Sequence, residues 1–469
     1  MRLLRIANTS WVFLLPLSLV MIVVFSFQYS TVSVPFFFVL MLVVGLSIIE
    51  TQRRQPDYIY LRNLFLAVFA IRVISSILFY YAWSFYGGVP FYGAKYYGDF
   101  LTDGEDFYRW GIMASDLPFW DYAGLQDIVR SRYYGYIYTL GFVERFSGLF
   151  MGDSSSLNAR ILNSAIVGFV AVIIARLGMR KLDMGRYAPL GAAYLFAIYP
   201  ASIMVSADVT RDTIVALLVL LLVVNFEYLR TQRFWFAPLV SFALLTIVLV
   251  GFRLESLLPM VVVVSVALVL GHRNHTNRIS APKVLMLFPL GLIALAALLF
   301  LVMDGVIQAL VIDRGMIFYT ERILEYNISD DRSVAGLLLS LPTPFSQLAR
   351  LFYRLVLPVP IFGRAFDANW SNFSAFLWYP LVPFAVIGVL QGLRHPRRTT
   401  YAVAILVYFA GVALTTLNER HAMQYMPLLM LFAVFGAVKH YRWFTLWIIS
   451  LPILLSTAYV VYLVYKGFF

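Results

Sequence analysis

The chain contains no cysteine. That removes disulfides, Cys-ligated zinc, iron–sulfur clusters and thiol catalysis. Charge is scarce too. Only 13% of the 469 residues are Asp, Glu, Lys or Arg, where a soluble domain carries about 25%. The hydrophobic share is 61% and the mean hydropathy is +0.82. An ordinary water-soluble domain is excluded, and so is a disordered chain. Histidine is sparse, and the five present do not make a metal motif. His272 and His275 share one connection, His395 and His440 stand alone, and only His421 lies near other ionisable candidates. HExxH, P-loop and GxSxG patterns are all missing. What the chain has in excess is aromatic: 40 Phe, 30 Tyr and 9 Trp. Such a content fits aromatic belts at the two faces of a bilayer.

A helix crossing lipid needs about 20 mostly apolar residues. Apolar runs lie near 11–27, 34–49, 60–83, 159–175, 187–204, 213–229, 235–251, 256–270, 284–303, 375–393, 401–416, 423–438 and 444–464. They predict an all-α polytopic membrane protein with about 13 transmembrane helices. The first run is long for a signal peptide, and no small-residue cleavage site follows, so a retained helix is expected. Short basic connections alternate with longer mixed or acidic ones. Arg53 with Arg54, Arg176 to Arg186, Arg230 to Arg233, Arg273 to Lys283, Arg394 to Arg398 and Lys439 to Arg442 form the basic set. Residues 84–158, 205–212, 252–255, 304–374 and 417–422 form the other, which is net acidic. The positive-inside rule then places the N-terminus in the cytoplasm and Phe469 outside. The net charge of +12 is thus topological, and no nucleic-acid partner is expected. The chain reads as a single integral membrane domain over 1–469, with external loops 84–158 and 304–374. Arg72 is the one ionisable residue well inside an expected span.

The polar chemistry gathers on the acidic side. Between Gly98 and Trp110 stand four carboxylates: Asp99, Asp103, Glu105 and Asp106. A helix starting near Thr102 would put Asp103 and Asp106 on one face. Such residues also cap and solvate a first helical turn. Downstream, 104–116, 124–131 and 135–150 predict short amphipathic helices rich in aromatics, suited to a membrane surface. Three short turns on the same side each carry an ionisable pair: Arg211 with Asp212, Arg253 with Glu255, and Arg420 with His421. Guanidiniums there suit a phosphate or pyrophosphate. Arg211, Arg253 and Arg420 are the first phosphate candidates, with Arg332 and Arg364 behind them. In loop 304–374, residues 336–345 and 355–361 predict partly buried re-entrant or interfacial segments.

This layout resembles the GT-C superfamily of polyprenyl-phosphate-sugar glycosyltransferases, such as protein O-mannosyltransferases and aminoarabinose transferases. The run Asp103-Gly-Glu-Asp-Phe-Tyr108 stands where that family carries its acidic motif. The segment from Tyr199 to Asp212 is similar to a family segment ending in an acidic residue. Arg420-His-Ala-Met-Gln-Tyr-Met-Pro427 resembles the family's late external turn. Two departures stand out: two spans, not one, precede the span feeding the acidic loop, and the motif is Asp-Gly-Glu-Asp.

The resemblance implies a multi-span enzyme of the bacterial plasma membrane with an extracytoplasmic site. Its partners would be a polyprenyl-phosphate-linked sugar donor, a glycan, lipid or protein acceptor, and membrane lipids. A carboxylate, by preference Asp103 and otherwise Asp106 or Glu105, would deprotonate the acceptor hydroxyl for inverting attack. Such a base supplies about 10²–10⁴-fold. The leaving phosphate needs positive charge, which Arg211, Arg253 or Arg420 could provide. Asp212, Glu255, His421 and Tyr108 complete the candidate binding set. No cofactor is required, although the carboxylates could hold a divalent metal. A polysaccharide polymerase or O-antigen ligase would rely on external Arg and His instead. A lipid-linked sugar transporter or flippase would place ionisable residues near mid-membrane.

Overall fold

The computed structural model describes residues 9–87, 89–91, 103–118, 121, 124–125, 134–151, 153, 155–231, 236–273, 345–358, 366–415 and 419–465. The described residues fold into helices and connections. In chain order the α-helices are α1 (Trp11–Tyr29), α2 (Ser33–Glu50), α3 (Tyr58–Gly87), α4 (Asp103–Ser115), α5 (Tyr134–Met151), α6 (Ser156–Arg180), α7 (Tyr187–Ile198), α8 (Pro200–Ala207), α9 (Asp212–Thr231) and α10 (Phe236–Arg253). There follow α11 (Leu257–Arg273), α12 (Phe345–Val356), α13 (Phe366–Asn372), α14 (Ser374–Trp378), α15 (Val382–Leu393), α16 (Thr399–Thr415), α17 (Met426–Lys439) and α18 (Tyr441–Tyr465). Short 3₁₀ turns lie at Leu254–Ser256 and Glu419–Gln424.

Six helical stretches among the described residues are long and apolar enough to cross a membrane. They are Trp11–Tyr29, Ser33–Glu50, Tyr58–Tyr86, Ser156–Arg180, Asp212–Thr231 and Phe236–Leu268. Two bent pairs raise the number to eight: α7 with α8, bent by 57°, and Asn369–Trp378 with α15, bent by 59°. The expected count of 13 is thus not confirmed among the described residues. The runs 235–251 and 256–270 join as one stretch with only a 3₁₀ turn between them. The helices α16 and α17 are apolar but short. The run 284–303 lies outside the described residues. Large apolar side chains face outward along the stretches, including Phe13, Phe27, Phe236 and Ile247. Exposed apolar surface on this scale suits hydrocarbon rather than water.

The helices α3 and α6 lie at the centre of the bundle and pack on one another. Most of the membrane-length window of each is buried. Several of the basic connections among the described residues meet at one end of the bundle. There Arg180 donates to Asp57 at 2.9 Å and to Gln55 at 2.7 Å. Arg398 donates to the carbonyls of Leu182 and Asp183 at 2.7 and 2.9 Å, and Arg397 pairs with Asp183. Arg230 binds Glu227 and the Pro396 carbonyl. These bonds tie three loops that are far apart in the chain.

Of the two re-entrant segments expected in loop 304–374, 336–344 lies outside the described residues, and 355–361 begins at the end of α12. That helix is amphipathic in an inverted sense. Phe345, Leu348, Phe352 and Val356 are exposed, while Ser346 and Arg354 are buried. Arg354 donates to the Tyr425 hydroxyl at 3.1 Å. An apolar face turned outward and a polar face turned inward is the pattern of a helix lying in a lipid interface.

Candidate functional site

The opposite end of the bundle brings the sequence candidates together. It starts from α4, whose first turn holds Asp103, Glu105 and Asp106. Negative side chains there complement the unpaired N–H groups and the positive end of the helix dipole. The described residues of the helix begin at Asp103, next to the start expected near Thr102. Its docking depends on two glycines. A Cβ on Gly104 would lie 2.4 Å from Asp208 Oδ1, and one on Gly111 would lie 2.6 Å from the Leu140 Cβ. The bare Cα at these positions lets α4 press against the Asp208 turn and against α5. Phe107 completes the contact, edge-on to Tyr136 at 5.3 Å.

The turn between α8 and α9 is held from below. The Asn163 side-chain amide donates to the carbonyls of Asp208 and Thr210, at 3.0 and 3.3 Å, and its oxygen accepts from Thr213 at 2.9 Å. This clamp sets Asp208, Arg211 and Asp212, all buried. Asp212 opens α9, where a carboxylate again suits the helix N-terminus.

The cluster forms around Asp212. Arg253 donates to it at 2.7 Å, with both side chains buried. Arg420 lies 3.9 Å from its other oxygen and also pairs with Asp103. Arg253 lies 3.0 Å from His421 Nδ1. Arginine only donates and a neutral imidazole has one acceptor nitrogen, so the ring accepts from one of the two arginines that face its Nδ1 and Nε2. Arg420 Nε lies 3.4 Å from that Nε2. Arg211 sits over the Phe107 ring, 5.7 Å from its centroid. Burial holds the His421 pKa well below the ordinary 6.5, with Arg253, Arg420 and Arg211 adding to the effect and Asp212 opposing it. The imidazole is therefore neutral at neutral pH. Asp106 is shifted the other way. Burial first, then Asp103 and Glu105, raise its pKa above the ordinary carboxylate value, against Arg109. A raised value makes it the more basic carboxylate.

The structure separates the other candidates. Of the three α4 acids, Asp103 alone has an ion pair with the arginine cluster among the described contacts, and it is half-exposed. Glu105 pairs instead with Arg109 on its own helix at 2.7 Å. Glu255 is exposed and does not pair with Arg253, which turns to Asp212. Tyr108 packs on Phe91 at 5.9 Å and lies near enough to Arg160 to act on its charge. Asp99, Arg332, Arg364 and most of 124–131 lie outside the described residues.

Sequence reasoning overlooked the layer beneath. Arg160 in α6 is fully buried and ringed by Tyr80, Trp83 and Phe91, 5.2–5.5 Å from their centroids. Arg160, like Arg72, is a fully buried arginine within a membrane-length helix. Asn163, Tyr136 and Asp208 complete this layer. Their only sequence signal is polarity in an apolar run, which Asn163 and Arg160 do show. Among the described residues, no group of three or more His, Asp or Glu side chains is arranged to hold a metal ion.

The arrangement offers three guanidiniums facing two carboxylates and a neutral imidazole. It can hold an anion and present a carboxylate beside it. Comparison of the chain with family models, with curated proteins and with solved structures returns no match.

Proposed function

We propose that the chain is a membrane glycosyltransferase of the GT-C type. It transfers a sugar from a polyprenyl-phosphate donor to a glycan, lipid or protein acceptor at the extracytoplasmic face of a bacterial plasma membrane. The observation that carries this reading is the convergence of Asp103, Asp212, Arg253, Arg420 and His421. They come from four connections and meet opposite the basic end of the bundle. In the proposed orientation the basic end and the N-terminus face the cytoplasm.

In this reading the donor phosphate rests among Arg211, Arg253 and Arg420. The leaving phosphate needs no proton, and positive charge fixed in advance stabilises it as the glycosidic bond breaks. Asp103, already next to Arg420, takes the acceptor's hydroxyl proton. Asp106 is the second candidate base, because its raised pKa makes it more basic. Asp212 orients Arg253 and Arg420.

The test measures donor affinity and single-turnover transfer on the same purified variants. Asp103→Asn should keep binding of undecaprenyl phosphate and lose about 10²-fold or more in transfer. Arg420→Ala should weaken binding as well, since the phosphate is charged before reaction. Wild-type transfer by Asp103→Asn, Glu105→Gln and Asp106→Asn alike would remove the carboxylate mechanism.

One observation favours a second reading. A neutral His421 between Arg253 and Arg420 suits a polysaccharide polymerase or O-antigen ligase, which would work through Arg and His. Loss of transfer in His421→Gln, together with full activity in the carboxylate variants, would select it.

A further inference from the structure

Arg72 lies at the middle of the span Tyr58–Tyr86 and is fully buried. An arginine at such a depth is costly and marks a function. Its partners are unusual. Nη2 donates to the Phe196 carbonyl at 2.6 Å and to the Ser202 hydroxyl at 2.6 Å, and Nη1 donates to Ser206 at 2.9 Å. All three acceptors flank the break between α7 and α8.

The break has a chemical cause. In an unbroken helix the Phe196 carbonyl would accept from the N–H of residue 200. That residue is Pro200, which has none. The residue before it, Tyr199, is extended, at φ −67° and ψ 116°, as a residue preceding proline prefers. The backbone groups freed by the break find partners one by one. Trp370 Nε1 donates to the Pro200 carbonyl at 3.0 Å, and the Ala201 N–H donates to Ser374 Oγ at 2.8 Å. Ser202 lies 2.9 Å from the Phe196 carbonyl and 3.0 Å from that of Tyr199. Five residues past Ala207, the short helix α8 has delivered Asp208, Arg211 and Asp212 to the cluster.

We infer that Arg72 is a positioning residue. Its guanidinium takes the place of the missing Pro200 N–H and holds the 57° bend that carries the Asp208–Asp212 turn into the polar cluster. The bend is the part of the inference that stands alone; its effect on donor binding rests on the function proposed above.

The absence of cysteine from the chain permits a clean test. An Ala201→Cys and Ser374→Cys pair should form a disulfide in the otherwise unchanged full-length protein, because the bend brings these residues together. Arg72→Leu should lower the thermal midpoint. Adding Pro200→Ala restores an N–H for Phe196 and should recover the midpoint while letting the helix straighten. That double variant should lose the cross-link. It should also bind undecaprenyl phosphate more weakly and transfer about 100-fold more slowly per folded molecule, the size of a roughly 1 Å misplacement. Arg72→Lys should fall between. Failure of the cysteine pair to cross-link in the otherwise unchanged protein, an undiminished cross-link in Arg72→Leu/Pro200→Ala, or an unchanged midpoint in Arg72→Leu would each overturn the inference. If the unaltered protein binds no undecaprenyl phosphate, the proposed function fails instead, and the cross-link still decides the role of Arg72.

Discussion

At the scale of single residues, the cluster is a case of charges that make sense only together. Asp212 is buried with Arg253, and removing one partner of such a pair costs about 3–5 kcal/mol because the other charge is stranded. His421 belongs to the same balance. Its pKa in the folded protein lies below the ordinary 6.5. As the pH falls, the unfolded chain takes up this proton first. Stability that is complete above the ordinary value is then lost between that value and the lower folded-state one. Glutamine can accept from Arg253 without titrating. His421→Gln should therefore keep the protein's melting temperature at pH 8 and raise it relative to wild type near pH 5. Parallel melting curves that fall equally with pH would show that His421 does not carry the acid sensitivity. Most of these residues were legible beforehand. Arginines and acids at the ends of apolar runs stand out in a chain with so little charge. Their pairing was not legible. Arg253 sits two residues from Glu255, yet it bonds to Asp212, because sequence neighbours at a helix break point in different directions while the helix ends converge.

At the scale of elements, α4 shows how a surface helix is seated. Its glycines at 104 and 111 sit against Asp208 and Leu140, with no room for a methyl group. Gly111→Ala should lower stability by about 1–3 kcal/mol, the usual result of overpacking. It should also loosen the contact between Asp103 and Arg420. Thermal melting together with donor binding checks both, and a variant unchanged in both would mean that α4 docks less tightly than described. The existence of this helix was readable from three acids followed by an aromatic and apolar stretch. Its partner was not, because the contact depends on what the two glycines lack. Likewise the apolar run 187–204 reads as one plain span, and Pro200 alone hints at the bend. Arg72, read from the sequence only as the one ionisable residue well inside an expected span, bonds to the backbone at that bend.

At the scale of the whole molecule, the two ends differ in chemistry. One ties basic loops together through Arg180, Arg230, Arg397 and Arg398. The other gathers the candidate site. Reporter fusions at Asp103 and Arg180 should report opposite sides of the membrane, and the same side for both would dismiss the proposed orientation. The helical, membrane-embedded character was plain from composition. The number of crossings was not, since runs that look separate can join, and a run long enough on paper can fold into a short or bent helix. The origin of the cluster's members has a consequence for biosynthesis. Asp212 emerges from the ribosome 41 residues before Arg253 and long before Arg420 reaches it. During that interval the nascent chain holds an acid at a helix end with its counter-charges still unmade. A chain that stops before the Glu419–Gln424 turn would therefore pair Asp212 with Arg253 alone, and the second arginine joins the cluster only once the last part of the chain has been made.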